Sequence, residues 1–479
     1  MKSHASMNRI YRLVWNAALS LWVAVAENAR GRSKGGSART RVDCNSVHQG
    51  DGGHGGDGGS SGHGGFTLNT ACRAALALIV ATALFPNFAR AADAAHASVS
   101  AGAGSVATAG TTTTITQASQ RLAIDWTSLS TRANEALVFN QPNAAAIALN
   151  RITGTSPSEL LGSLTANGQV FILNPNGVLF GAGSQVNVGG IVASTLSMSN
   201  ADFMAGNHVF TNSGGTGSVI NQGTMTAAQG GYLALLAPEV RNEGVMTASL
   251  GTALLAAGNK VTLNLDNGSL LGYSIDQGAI NALAENKQLI KADGGQVLLG
   301  AKALDSLTSA AVNNTGIIEA KTLQNKAGRI MLMGDMAHGT VNIGGTLDAS
   351  APNGGDGGFI ETSAAQFKIL PGAKVTTQAP QGKTGTWLLD PASVTIAGGT
   401  GTTDANTIYE DYLEAATTNV VIEADNAITA SGTFGNSDVQ MRSGLDLTIR
   451  TIGTSGTGID LTGSTHGAGL EFKTSGGGS

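Results

Sequence analysis

Residues 170–173 and 178–180 are short apolar runs of β-branched and aromatic type, separated by Asn174-Pro175-Asn176-Gly177. Those four residues fit a type I turn, with Asn at the first position, Pro presetting φ at the second and Gly at the fourth. The pattern predicts a hairpin buried on both faces. Beyond Gly181-Ala182-Gly183, Val186 and Val188 alternate with Gln185 and Asn187, and Gly189-Gly190 leads into a third apolar run at 191–193. Three strands thus follow one another with almost no linker.

Further along, the pattern repeats imperfectly. Asn221-Gln222-Gly223-Thr224-Met225-Thr226-Ala227 is echoed by Asn242-Glu243-Gly244-Val245-Met246-Thr247-Ala248, again by Asn314-Thr315-Gly316-Ile317-Ile318-Glu319-Ala320, and more briefly by Gly345-Thr346-Leu347-Asp348-Ala349. After each copy comes a Gly and an apolar strand, at 232–237, 253–257, 329–333 and 359–361. A period of roughly 20 to 30 residues with Asn-x-Gly punctuation predicts a solenoid whose rungs are strand, turn, strand, turn. A lone rung buries too little to offset its backbone entropy, so rungs must stack from a nucleus. Elsewhere, Ser156 as N-cap, Pro157 at the first helical position and Glu159 three residues after the cap predict one short helical turn over 156–164. Small polar residues over 92–115 predict a mobile N-terminus for the mature chain.

Composition narrows the picture. Of 479 residues 68 are Gly, about twice the usual ~7 per cent, and 12% are charged, about half the usual share. Such a chain suits thin aliphatic layers closed by Gly and Asn corners. Residues 1–73 hold nine Lys and Arg against four Asp and Glu, whereas residues 92–479 hold 17 against 28. An acidic body excludes nucleic acid as a partner, since phosphate binding needs clustered cations.

The leader, residues 1–91, has two signals. Residues 74–85 are twelve apolar positions preceded by Arg73 and followed by Ala89-Arg90-Ala91, the layout of a signal peptide cleaved after Ala91. Residues 7–27 open with Arg9 and Arg12 and continue apolar, a basic amphiphile suited to a membrane interface. Between them a Gly- and His-rich spacer at 48–65 reads as a flexible linker. Both cysteines, Cys44 and Cys72, lie in the leader, so the mature chain forms no disulfide and stays linear for threading through a pore.

Chemistry is sparse. His96, His208, His338 and His466 lack metal-ligand spacing. Asp335, Asp348, Asp356 and Glu361 are the nearest thing to an acidic cluster, and Asn353-Gly354-Gly355-Asp356-Gly357-Gly358 reads as a turn between rungs. No catalytic residue, cofactor or metal is expected, and enzymatic action on polysaccharide is a minor alternative.

The run Asn174-Pro175-Asn176-Gly177-Val178-Leu179-Phe180-Gly181, with residues 186–195, resembles the secretion domain of filamentous-haemagglutinin-like exoproteins of two-partner secretion, closest to the high-molecular-weight adhesin branch. Tyr11, Arg12, Trp15, Asn16 and Trp22 resemble that family's extended signal peptide, Ile124-Asp125-Trp126 its opening strand, and Trp387-Leu388-Leu389-Asp390-Pro391 its hinge. The resemblance implies an all-β chain: a right-handed parallel β-helix with an N-terminal cap and small extra-helical hairpins over 116–390. A further β-rich region over 391–479 reads as truncated. It implies Sec export, signal peptidase, and an outer-membrane transporter with periplasmic polypeptide-transport-associated domains, delivering a secreted or surface adhesin of a Gram-negative bacterium to an unidentified host receptor or glycan. The stalk of a contact-dependent toxin, or a haemolysin, is the alternative. Recognition by the transporter falls on Asn174, Pro175, Asn176 and Gly177. A second motif is expected where this chain has Asn140, Gln141, Pro142 and Asn143. Trp126 is expected to be a packed cap residue.

Overall fold

The computed structural model describes residues 11–16, 21–26, 96–401, 404–435, 438–453, 456, 458–463 and 471–473. The chain divides into two units, Met1–Thr82 and Ala83–Ser479. In the first, Tyr11–Asn16 and Leu21–Ala26 pair antiparallel, with Trp15 opposite Trp22. The extended-signal residues Tyr11, Arg12, Trp15, Asn16 and Trp22 therefore share one ribbon. The cleavage residues Ala89 and Ala91, the spacer at 48–65 and His466 lie outside the described residues.

The second unit is a parallel β-helix, and one turn shows how it is built. Ser163–Ala166 lies on a first face, Gln169–Leu173 on a second and Val178–Phe180 on a third; Gln185–Ser194 then returns beside the first two, placing Ser163 opposite Gln185 and Gln169 opposite Gly190. Val178–Phe180 pairs instead with Ser158–Leu160 and Val219–Asn221. The two runs flanking Asn174 to Gly177 are thus not a hairpin. A turn reverses direction only locally, and here each run finds a parallel partner one rung away.

Burial on both sides is nonetheless correct for 170–173, because the second face carries a layer outside as well as inside, but not for 178–180, where Leu179 on the outer side is only half-buried. Val170 and Ile172 point into the central core, while Phe171 and Leu173 join an outer cluster with Leu196, Phe203, Phe210, Leu254 and Leu263. Two insertions supply that layer. One contains the helix Asn200–Ala205 and the strand Val209–Thr211; the other is the hairpin Lys260–Asp266 with Ser269–Gln277, and the three strands form one antiparallel sheet.

Inside the third face, Asn221, Asn242, Asn286 and Asn314 are fully buried and form a ladder. Each Nδ2 donates to the next Oδ1 at 2.8 Å, over sequence steps of 21, 44 and 28 residues, and Asn314 ends the series on Gly344 O. Each rung's amide thereby satisfies its neighbour's polar group within an apolar core. The corner before each second-face strand is equally constrained: a Cβ on Gly251 would collide with the carbonyl oxygen of Gly231 in the rung before.

Three local expectations change. Residues 97–109 are strands, not a mobile segment: Ala97–Ala101 and Gly104–Ala109 lie antiparallel on Arg121–Trp126 and Thr112–Gln117, covering the first rung's edge. Beneath them Trp126 is fully buried and donates Nε1–H to Asn150 Oδ1 at 3.0 Å, the packed residue expected. The predicted helical turn at 156–164 is two strands, Ser158–Leu160 and Ser163–Ala166, because Leu160 and Leu164 reach the core only in extended register with Phe180 and Val186. At the expected hinge, the second-face ladder runs on unbroken through Phe359–Ala364, Thr386–Pro391, Asn419–Ala424 and Leu447–Thr451. The third face changes there, from Gln366–Ile369 to a separate parallel ladder that begins with Ser393–Ala397.

Candidate functional site

Asn174, Pro175, Asn176 and Gly177 turn the chain from the second face to the third. The Gly177 N–H donates to Asn174 O at 3.0 Å, and the Asn176 N–H donates to Asn174 Oδ1 at 3.0 Å. Gly177 sits at φ +122°, a conformation that favours glycine. The Asn174 amide is wholly buried and donates to Ser156 O and Ser158 Oγ, both at 3.0 Å. Asn176 is exposed and ties back to Gly154 O at 2.9 Å.

The rungs on either side zip this corner shut. Ser158 N–H donates to Gly177 O at 3.0 Å, Val178 N–H to Ser218 O at 3.0 Å, and Gly217 N–H to Pro175 O at 3.2 Å. A side chain on Gly217 would strike the backbone of Asn176 and Gly177, so the small residues at 213–218 let the next rung lie flat against the turn. Asn174 thus organises the corner from inside, while Pro175 and Asn176 present its outer surface.

Asn140, Gln141, Pro142 and Asn143 occupy a different corner, between the first and second faces. Gln141 is the buried member: its Nε2 donates to Gln117 Oε1 at 2.9 Å and Gln169 O at 3.0 Å, and its Oε1 accepts from Gly168 N–H at 3.0 Å. Asn143 is exposed and pairs with Gln120. The structure therefore does not bring the two turns together; they lie at separate corners of successive rungs.

Sequence reasoning missed Ser158, whose buried hydroxyl anchors Asn174, because Ser156-Pro157 imitates a helix start. It also missed the small-residue stretch over 213–218, which carries no hydrophobic period. Asp335, Asp348, Asp356 and Glu361 are not gathered either: Asp348 pairs with Lys321 on the first face, Glu361 lies on the second, Asp335 caps its own turn, and Asp356 binds Lys383 N–H. The glycine-rich 353–358 is a turn as expected, but one within a rung: it joins Thr346–Asp348 on the first face to Phe359–Ala364 on the second. Among the described residues no group of three or more His, Cys, Asp or Glu is placed to hold a metal ion.

One titratable group sits between the outer layer and the first rung. His208 is almost fully buried beside Phe171, with Arg121 Nη1 at 3.5 Å from its Nε2. Burial, and then the Arg121 charge, hold the imidazole down at about 4. Arg121 also donates to Phe203 O at 3.0 Å, tying the first rung to the inserted helix.

Residues 91–349 match the family model described as TPS secretion domain, and residues 7–50 match the Extended Signal Peptide of Type V secretion system. The chain is 29% identical over 323 residues to a Heme/hemopexin-binding protein of Haemophilus influenzae, covering 65% of this chain and 34% of that protein. It is 29% identical over 196 residues to the Filamentous hemagglutinin of Bordetella pertussis, covering 36% of this chain and 5% of that protein. The chain spans about a third or less of the length of these relatives. Among solved structures, the HMW1 secretion domain from Haemophilus influenzae is similar with a TM-score of 0.49 and 24% identity, covering 79% of this chain and 99% of that one.

Proposed function

This chain belongs to the TPS secretion domain family, and from that premise we propose that it is an adhesin-type exoprotein, carried to the surface of a Gram-negative bacterium or released by two-partner secretion. Sec export brings it to the periplasm, signal peptidase removes the leader after Ala91, and periplasmic polypeptide-transport-associated domains of an outer-membrane transporter take up the mature chain. Outside, each rung added to the capped first rung is downhill, so folding itself draws the chain outward. The reading of export rests on the secretion-domain match over residues 91–349, and the binding named for the relatives stays with them.

The observation that carries the recognition reading is the division of labour at the second corner. Asn174 is spent entirely on internal hydrogen bonds, whereas Asn176 is exposed on a turn that the flanking segments 154–158 and 217–218 hold in place. A rigid, exposed turn is a low-entropy feature for a transporter to read. Asn176→Ile is expected to lower the extracellular yield while leader removal proceeds normally, measured by comparing periplasmic and extracellular protein. Unchanged extracellular yield would remove this corner from recognition.

A further inference from the structure

Asp390 and Pro391 form the chain's sole Asp–Pro peptide bond, and it lies where the third face changes ladders. Asp390 is on the outer side of Thr386–Pro391, opposite Ser363, with Pro391 buried behind it. Its Oδ1 is buried and has no hydrogen-bond partner. Charged groups face it from every neighbouring strand: Glu361 on one side, Glu423 and Asp425 on the other, and Arg450 beyond them, where its Nε donates to Glu423 at 2.6 Å.

We propose that Asp390–Pro391 is an acid-triggered self-cleaving bond that separates the secretion domain from the solenoid beyond it. The un-ionised Asp390 carboxyl attacks its own main-chain carbonyl carbon, closing a five-membered cyclic anhydride. The C–N bond to Pro391 breaks, and the carboxyl proton passes to the proline nitrogen, which leaves as a secondary amine. Water then opens the anhydride to two carboxyl groups, so the net reaction is peptide hydrolysis. The fold contributes by keeping the attacking group protonated. Burial, reinforced by Glu423, Asp425 and Glu361 and opposed by Arg450, raises that carboxyl to about 6 from an ordinary 3.8. At about pH 5 it is protonated roughly fifteen times more often than in an unfolded chain.

The test is intact-mass spectrometry of the purified full chain at about pH 5 and about pH 8, with a parallel sample in denaturant at the lower pH. The expected result is two fragments from the folded chain at the lower pH, the second starting at Pro391, an intact chain at the higher pH, and roughly fifteen-fold slower cleavage in denaturant. Glu423→Gln should move the pH midpoint down, and Asp390→Asn should stay intact. An intact folded chain at the lower pH, a new N-terminus elsewhere, or equal rates folded and unfolded would overturn the proposal. The denaturant comparison uses the unaltered chain, so a variant that misfolds does not blunt it. None of these outcomes depends on how the chain is exported.

Discussion

Two strands of the second face, Thr252–Ala257 and Arg329–Met333, occupy the same ladder, yet the first is buried at every position and the second only at alternate ones. Inside, they are equivalent: Leu255 and Leu332 both fill the central core. Outside, Leu254 and Ala256 lie under the inserted sheet, whereas Arg329 faces water. The early rungs therefore have two cores and the later rungs one. Whether a strand reads as a continuous apolar run or as an alternation reports which side is covered.

The largest effect should come from the outer core. Phe171→Ala removes a fully buried ring that touches Phe203, Phe210 and His208, and should cost about 3–5 kcal/mol by denaturant unfolding. A smaller cost would mean that the inserted layer is only loosely applied. Next, Asn286→Ala interrupts the ladder on the third face, where no outer layer matters. It leaves Asn314 Oδ1 without its donor, at roughly 1–3 kcal/mol, while the Asn242 amide keeps Gly244 O and Leu289 O. Slowed exchange of the flanking amides, instead of faster exchange, would contradict that role.

Acid separates the two regions without mutation. His208 titrates near 4 when folded against 6.5 when unfolded, so its contribution is complete above about pH 6.5 and is lost as pH falls through about 4. Hydrogen exchange over residues 199–211 should accelerate across that window, while residues 329–333 stay unchanged, and His208→Gln should flatten the response. The smallest effect is expected at Leu388→Ala, an outer position beyond the inserted layer, at about 0.5 kcal/mol or less.

Much of this arrangement was legible in the residues. Asn221, Asn242 and Asn314 announced the rung, and the apolar run at 170–173 announced burial on both sides. Asn286 stayed hidden for two reasons: it is followed by Lys287 and Gln288 in place of x-Gly, and the inserted hairpin stretches its step to 44 residues. The turn at Asn174 was read correctly as a turn but wrongly as a hairpin, since a corner of a parallel helix uses the same local chemistry as a strand reversal. Ser158 was lost to a helix-start pattern that long-range pairing overrides. What the pattern carried was periodicity; partners separated by a whole rung or by an insertion left no local trace.

If this β-helix is the part of the chain that an outer-membrane transporter accepts, release from the cell depends on that transporter. The most direct measurement is the amount of mature chain outside the cell when it is expressed with and without its two-partner transporter. Leader removal is expected in both cases and extracellular chain only when the transporter is present; equal extracellular amounts in the two would overturn the proposed route.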